Sequence, residues 1–321
     1  MSSSDSTGRF APSPTGRMHM GNVFTALLAW LSARSSGGRF VLRIEDLDPQ
    51  RSRRQWAELI EDDLRWLGLD WDEGGLDGRG PNGPYLQSER TAIYAEALDR
   101  LRRAGVLYPC CCTRADLHAV GAPHASDGRI VYAGTCRPAP CPPFPTEVPA
   151  GATLRLWTPD KTVRFADKVQ GTASFNLARE CSDFVLRRAD GAFAYQLAVV
   201  VDDALMGVSE VVRGADLIGS TPMQLYLFSL LGWNAPDFAH VPLLCNCSGV
   251  RLSKRDASLS MEALRKVYTP EELLGRLACL AGLRPEAAPA KLHELVSEFD
   301  WSAVRRESTL CADTPQATDR T

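Results

Sequence analysis

Apolar and polar positions follow two different rhythms along this chain. The string Arg9-Phe10-Ala11-Pro12-Ser13-Pro14-Thr15-Gly16 begins as a strand and then breaks on two prolines and a glycine. Residues 22–34 carry helical periodicity and stop at Gly37-Gly38, a pair suited to a helix C-terminus. Phe40-Val41-Leu42-Arg43-Ile44 reads as a strand ending in acidic residues. Trp56, Leu59, Ile60, Leu64 and Leu67 recur at helical spacing before Gly68, and Tyr94, Ala97, Leu98 and Leu101 define a further amphipathic helix that stops at Gly105. Strand and helix alternate, which predicts an α/β protein with a parallel sheet and crossover helices.

The middle of the chain changes character. Residues 138–149 are proline-rich and follow a cysteine cluster, and residues 154–169 read as short strands, so residues 105–182 are expected to be an insertion. Residues 184–188, Asp190-Gly191 and residues 192–197 form the pattern of a hairpin around an Asp-Gly turn. The helical stretch 221–231 returns the chain to α/β alternation. Beyond residue 258 the pattern is helical, with Tyr268-Thr269-Pro270-Glu271-Glu272 a helix start. The polar stretch 307–321 is expected to fray. The division expected is therefore 1–104 and 183–258 as two halves of one domain, 105–182 inserted between them, and 259–321 as a short helical segment.

Composition narrows the class. With 45% hydrophobic and 23% charged residues, the chain is globular and not disordered. The polar residues 1–8 carry no apolar secretory core, and the longest apolar runs are too short to span a bilayer, so a soluble cytosolic protein is expected. A net charge of -3 argues against coating nucleic acid by bulk charge, while leaving room for local basic strips. Two such strips are Arg51, Arg53, Arg54 and Arg100, Arg102, Arg103; each also reads as a solvated helix face. Five of the ten cysteines, Cys110, Cys111, Cys112, Cys136 and Cys141, fall in one region, which points to a metal site or reduced thiols before disulfides.

Two segments carry the chemistry. Pro12-Ser13-Pro14-Thr15-Gly16-Arg17-Met18-His19-Met20-Gly21-Asn22 lies on a strand-to-helix turn, where backbone N–H groups and a positive helix end suit a phosphate. Arg251-Leu252-Ser253-Lys254-Arg255 places three cations in five residues of a loop, enough to neutralise a polyphosphate as charge builds on a leaving group. Taken singly, the first reads more readily as a helix-entry histidine and the second as a solvated basic loop.

Together, in this order and separation, the two segments resemble the "HIGH" and "KMSKS" signatures of the class I aminoacyl-tRNA synthetases. The string from Arg9 to Gly16 and Arg43-Ile44-Glu45-Asp46-Leu47-Asp48 narrow the resemblance to the glutamyl/glutaminyl branch, over most of the chain from Arg9 to Ser258. The resemblance implies a Rossmann-like catalytic domain that activates glutamate with ATP and Mg²⁺. His19 and Lys254 would be catalytic, and His19, Gly21, Asn22 and Lys254 would bind ATP. Asn22 stands where the first signature has a second His, and Arg251 where the second begins with Lys; arginine keeps the charge but changes the donor's shape.

The resemblance also places glutamate on Arg9, Phe10, Ala11, Pro12, Ser13, Glu45, Tyr195 and Arg213. These residue types suit a substrate with two carboxylates and one ammonium. Arg9 and Arg213 can each clamp a carboxylate, Glu45 can receive the ammonium, and Tyr195 can donate a hydroxyl. Asp46 and Asp48 are expected to hold the loop instead of the substrate.

Only 66 residues follow Arg255, short for an anticodon-binding domain. In this the chain resembles the glutamyl-Q tRNA(Asp) synthetases, whose acceptor is the queuosine base in the anticodon loop of tRNA(Asp). That family's zinc site resembles Cys110, Cys112, Tyr132 and Cys136 here, which implies one structural Zn²⁺ in the insertion; Cys111, Cys141, His118 and His124 are alternative ligands. Cys245-Asn246-Cys247 reads as an ordinary loop. The expected partners are L-glutamate, ATP and queuosine-bearing tRNA(Asp), met by a monomer without a membrane. Two alternatives stay open: a shortened synthetase charging a tRNA 3′ end, and a non-catalytic binding paralogue.

Overall fold

A computed structural model describes residues 6–113, 116, 132–139, 143–145, 147–245 and 259–310. In chain order its first elements are β1 (Thr7–Phe10), α1 (Met20–Ser35), β2 (Arg39–Leu42), α2 (Arg54–Trp66), β3 (Glu73–Gly74) and α3 (Thr91–Arg103). Then come β4 (Leu107–Cys110), β5 (Thr153–Leu156), β6 (Thr162–Asp167), β7 (Gly171–Asn176) and β8 (Val185–Arg187). The remainder is α4 (Tyr195–Leu205), β9 (Glu210–Gly214), α5 (Thr221–Leu231), β10 (Asp237–Val241), β11 (Leu244–Cys245), α6 (Met261–Val267), α7 (Pro270–Ala281), α8 (Leu292–Glu298) and β12 (Thr309–Leu310).

The expected alternation is present, and it builds a parallel sheet. β1 pairs in parallel with β2, and β2 with β3. On its other side β1 lies beside β9, where the Ser209 N–H donates to the Thr7 carbonyl at 2.9 Å. β10 is parallel to both β9 and β6, and β7 closes that edge as the antiparallel partner of β6. Two sheets, β3-β2-β1 and β9-β10-β6-β7, thus meet where β1 lies beside β9, and the direction of winding reverses there. In open α/β sheets such a switch point, at the carboxyl ends of the strands, is where ligands sit.

Helix ends follow the local signals. α1 is buried along nearly its whole length, through Val23, Phe24, Leu27, Leu28 and Leu31. It stops at Ser36, just before Gly37, whose φ of 67° is cheap only for glycine. α7 begins with the Thr269–Glu272 capping box at the expected start, with Pro270 in its first turn. Helices α6, α7 and α8 share the α1 core through Leu264, Leu273, Leu277 and Leu295.

The middle differs from a self-contained insertion. β5 pairs antiparallel with β4 and with β8, so this small sheet crosses the 182/183 position. The β6–β7 hairpin joins the main sheet through β10. The second arm of the expected Asp-Gly hairpin is a single bridge, Arg187 to Phe193, after which α4 starts. The run Leu197 to Val201 is buried on every side, and an apolar run of that kind has no periodicity to separate strand from helix. Of the tail expected to fray, Thr309–Leu310 pairs in parallel with β11; residues 311–321 lie outside the described residues.

A buried ion cluster joins α4 to the ends of β1 and β2 and to α3. Asp202 and Asp203, side by side near the end of α4, are almost inaccessible to solvent. Asp202 accepts from Arg90 Nε at 2.6 Å, Gln87 Nε2 at 2.8 Å and Tyr94 Oη at 2.9 Å. Asp203 accepts from Arg43 Nη1 at 2.7 Å and Arg9 Nε at 3.4 Å, and Arg43 Nη2 reaches Glu45 at 3.2 Å. Burial pushes the Asp203 carboxyl upward, but Arg43 and Arg9 prevail and hold it below its usual value. Removing one partner of such a cluster leaves the others unpaired in a low-dielectric interior. Asp203→Asn should therefore lower unfolding stability at neutral pH by about 3–5 kcal/mol in urea titration. The contribution is full above the unfolded carboxylate value of 3.8 and is lost as pH falls through the lower folded one, so wild type and variant should converge in acid.

Candidate active site

The four parallel strands that meet at the switch point each deliver a side chain at their carboxyl end. β1 ends in Arg9 and Phe10, and β2 is followed by Arg43 and Glu45. Arg213 stands on β9 and His240 on β10. The Ala11-Pro12-Ser13 loop is pinned across β2, because the Arg43 and Glu45 N–H groups donate to the Phe10 and Pro12 carbonyls, each at 3.0 Å. Between these strands lies a cavity of about 470 Å³ lined by Arg9, Phe10, Ala11, Pro12, Ser13, His19, Gly21, Asn22, Glu45, Tyr195 and Arg213, among others. All described residues read as glutamate- or ATP-binding in the sequence thus face one cavity. Asp46 and Asp48 do not line it: Asp46 accepts from the Ser88 N–H at 2.8 Å, and Asp48 from Arg51 Nε at 2.8 Å, so both brace their own loop.

At one end the cavity meets the N-terminus of α1. His19 is the helix N-cap, its Nδ1 accepting from the Gly21 N–H at 3.1 Å, while the Asn22 side chain accepts from the His19 N–H at 3.0 Å. A Cβ at Gly21 would lie 3.1 Å from the His19 ring, which accounts for glycine there. The capping role and the cavity-lining role are compatible, because only Nδ1 is engaged by the cap. Arg17 grips Asp63 of α2 through Nε at 3.0 Å and Nη2 at 2.7 Å, and Arg265 of α6 reaches the same carboxylate at 3.0 Å.

Lys254, with Arg251 and Arg255, lies outside the described residues. The described chain on either side of that segment reaches this same end of the cavity. Leu244 lines it, Ser260 bridges to His19, and the Met261 N–H donates to the Met18 carbonyl at 2.9 Å.

At the other end the charges are unevenly matched. Arg9 and Arg43 are paired with carboxylates, as described above. Arg213 is as deeply buried, but its hydrogen bonds go to uncharged partners, His240 Nε2 at 3.0 Å and Thr221 Oγ1 at 2.8 Å. Nη1 is buried without a hydrogen-bond partner, with the Tyr195 side chain beside it. Burial pushes the Arg213 guanidinium below its ordinary value and the Tyr195 hydroxyl above its own, so Tyr195 stays a neutral donor at physiological pH. Burial also pushes the Glu45 carboxyl upward against the pull of Arg43 and Arg9, a displacement that an ammonium beside it would reverse. Two guanidiniums, one with a buried Nη1 that has no hydrogen-bond partner, and one carboxylate suit a ligand with carboxylates and an ammonium.

The cysteine cluster forms a separate site near the small sheet. Sγ atoms of Cys110, Cys112 and Cys136 lie within 4.8 Å of one another, and Cys112 and Cys136 are 3.5 Å apart. Tetrahedral thiolate coordination with bonds of about 2.3 Å needs sulfurs roughly 3.8 Å apart, which this spacing fits. Tyr132 Oη is 3.6 Å from Cys110 Sγ and also accepts from the Cys136 N–H at 2.6 Å. Burial raises the Cys110 thiol, but a hydrogen bond from Arg155 and contacts with the Cys112 N–H and Tyr132 bring it down to about 7. Burial and the neighbouring Cys136 and Cys110 push Cys112 up to about 11. Crowded thiols of this kind are what a divalent cation resolves. Cys111 is exposed and outside the group; Cys141, His118 and His124 lie outside the described residues.

Both basic strips are engaged locally. Arg51 pairs with Asp48 and Arg54 with Glu58, and Arg53 donates to the Pro49 carbonyl. Arg102 and Arg103 pair with Asp99, and Arg100 stacks on Trp233. Sequence reasoning quoted Arg43 in a signature string without assigning it a role, and missed Asp202, Asp203, His240 and Asp167. A signal existed for three of them: two adjacent acids closing an apolar helical run, and one histidine inside the apolar strand Phe238 to Val241.

Comparison with known proteins agrees with this geometry. A family model described as tRNA synthetases class I (E and Q), catalytic domain, matches residues 7–314. A glutamyl-Q tRNA(Asp) synthetase of Symbiobacterium thermophilum is 50% identical over 306 residues, covering 94% of each chain. A glutamate–tRNA ligase of a Sulfurihydrogenibium species is 38% identical over 94% of this chain but only 64% of its own. Among solved structures, a glutamate tRNA ligase from Elizabethkingia meningosepticum in complex with its amino acid superposes with a TM-score of 0.78 at 28% identity, over 95% of this chain and 67% of that one. The chain belongs to the class I tRNA synthetases of the glutamyl/glutaminyl type and, within them, to the glutamyl-Q tRNA(Asp) synthetases.

Proposed function

We propose that the protein activates L-glutamate with ATP and transfers it to the queuosine base in the anticodon loop of tRNA(Asp). The observation that carries the reading is the cavity at the switch point. It joins a helix N-terminus suited to phosphate, at His19, Gly21 and Asn22, to a pocket whose charges complement those of glutamate, at Arg9, Glu45, Tyr195 and Arg213. The names of the most similar relatives support the acceptor.

In the first step a carboxylate oxygen of glutamate attacks the α-phosphorus of MgATP in line, and pyrophosphate leaves. His19 and Lys254 stabilise the charge that develops on the phosphates; one such donor is worth roughly a hundredfold or more in rate. Arg9 and Arg213 hold the glutamate carboxylates, Glu45 takes the ammonium, and Phe10, Ala11, Pro12 and Ser13 form the wall beside it. In the second step a hydroxyl of the modified nucleoside attacks the activated carbonyl, and AMP leaves. A single-stranded loop with splayed bases can present that hydroxyl to a catalytic pocket. The protein acts as a cytoplasmic monomer. Residues 1–104 and 183–258 supply most of its catalytic domain, and the intervening 105–182 add the β6–β7 hairpin to the same sheet.

Cys110, Cys112, Tyr132 and Cys136 would hold a structural zinc ion, which supplies no step of the reaction. Protein purified without chelator should contain one zinc per chain by elemental analysis, and Cys112→Ala should lose it; zinc-free wild type would rule the site out. The acceptor is tested with tRNA(Asp) prepared with and without queuosine. Glutamate should be incorporated only into the modified tRNA, and equal labelling of both would refute this acceptor.

A further inference from the structure

We infer that His240 and Asp167 form a positioning pair for Arg213, fixing which edge of its guanidinium is presented to the glutamate carboxylate. This rests on the glutamate reading above and concerns residues behind the cavity wall, since neither His240 nor Asp167 lines it.

The geometry runs in one direction. Asp167, the last residue of β6, accepts from the His240 backbone N–H at 3.1 Å, and its Oδ2 lies 2.6 Å from His240 Nδ1. The Val169 and Gln170 N–H groups, at 3.0 and 2.8 Å, fix the same carboxylate. Asp167 is held below its usual value, the His240 hydrogen bond overcoming burial, and so remains an acceptor. A carboxylate facing Nδ1 places the proton there, which leaves Nε2 as a lone pair. That lone pair faces Arg213 Nε at 3.0 Å and the Thr221 hydroxyl at 3.2 Å, and the Thr221 oxygen in turn accepts from Arg213 Nη2. The Nε–Nη2 edge of the guanidinium is thereby occupied. What remains is the Nη1–Nη2 edge, including the buried and unpartnered Nη1, and this edge is the one that can take a carboxylate bidentately.

The device requires an uncharged imidazole. A protonated ring would point an N–H at Arg213 Nε and set two cations against each other. Burial, together with Arg213, holds the His240 pKa below its ordinary 6.5. The charged groups facing the ring are Asp167 from β6, Arg213 from β9 and Asp216 from the turn after β9. Thr221 from α5 and the stacked ring of Phe238, 6.0 Å away, are uncharged. The pair also links the β6–β7 hairpin to substrate binding, across 73 residues of sequence.

Glutamate-dependent ATP–pyrophosphate exchange tests the inference. His240→Leu removes the acceptor and should raise the KM for glutamate by about tenfold or more, the worth of a charged hydrogen bond, with the KM for ATP unchanged. His240→Gln can return an oxygen near the Nε2 position and should recover most of that loss. In the unsubstituted protein the glutamate KM should rise as pH falls below the ordinary imidazole range, through His240 and the raised Glu45 carboxyl together, and the His240 share of this limb should be lost in His240→Gln. An unchanged glutamate KM in folded His240→Leu, or a limb in His240→Gln that superposes on that of the unsubstituted protein, would overturn the inference. If His240→Leu does not fold, the limb in His240→Gln decides. Absence of glutamate-dependent exchange in the unsubstituted protein would instead sink the glutamate reading itself.

Discussion

Asp202 and Asp203 bring two adjacent negative charges to the end of a helix whose run from Leu197 to Val201 is apolar and buried, and much of the structure is arranged to accommodate them. Arg90 comes from the turn before α3 and Tyr94 from α3, Arg43 from the end of β2, and Arg9 from the end of β1. A buried carboxylate is tolerable only when paired and hydrogen-bonded, so these elements cannot shift independently. The cluster thereby fixes the carboxyl ends of β1 and β2 against α4, whose first residue is Tyr195. The cavity is built on that fixed frame.

Around the cavity the arginines fall into two kinds. Arg43 donates to Asp203 and Glu45, and Arg90 to Asp202 and the Pro84 carbonyl, and both serve the frame. Arg213 spends one edge on uncharged groups, and its Nη1 is buried without a hydrogen-bond partner. A guanidinium buried without a carboxylate partner is a costly feature unless a ligand completes it. Arg9 is intermediate, bonded to Asp203 and to the Val212 carbonyl at 3.1 Å while still lining the cavity. Glu45 joins the two sets, touching Arg43 on one side and the cavity on the other.

The cysteine site follows a different logic. Its ligand groups come from β4 and from the chain near Tyr132, held by Arg155, whose guanidinium lies 3.8 Å above the Tyr132 ring. Its packing neighbours are Tyr108 and Trp157, and it forms its own small cluster apart from the two large cores.

The sequence by itself determined the α/β class, most helix boundaries, the strand-to-helix turn at His19 and the cysteine group. Each of these is encoded over a few neighbouring residues: periodicity, a capping pair, a glycine stop, or thiols spaced for one ion. Arg9, Glu45, Tyr195 and Arg213 were legible as a set only through resemblance, because their residue types fit the substrate but nothing local says they meet. Tertiary structure alone decided the rest. Arg43 and Asp203 are separated by 160 residues, and His240 and Asp167 by 73. It also made Tyr195 a helix start where alternation suggested a strand, since a run buried on all sides has no polar face from which to read a period. Periodicity reports which face of an element is dry, but which charges share that dry space depends on strand order, and strand order is fixed only when the sheet is assembled.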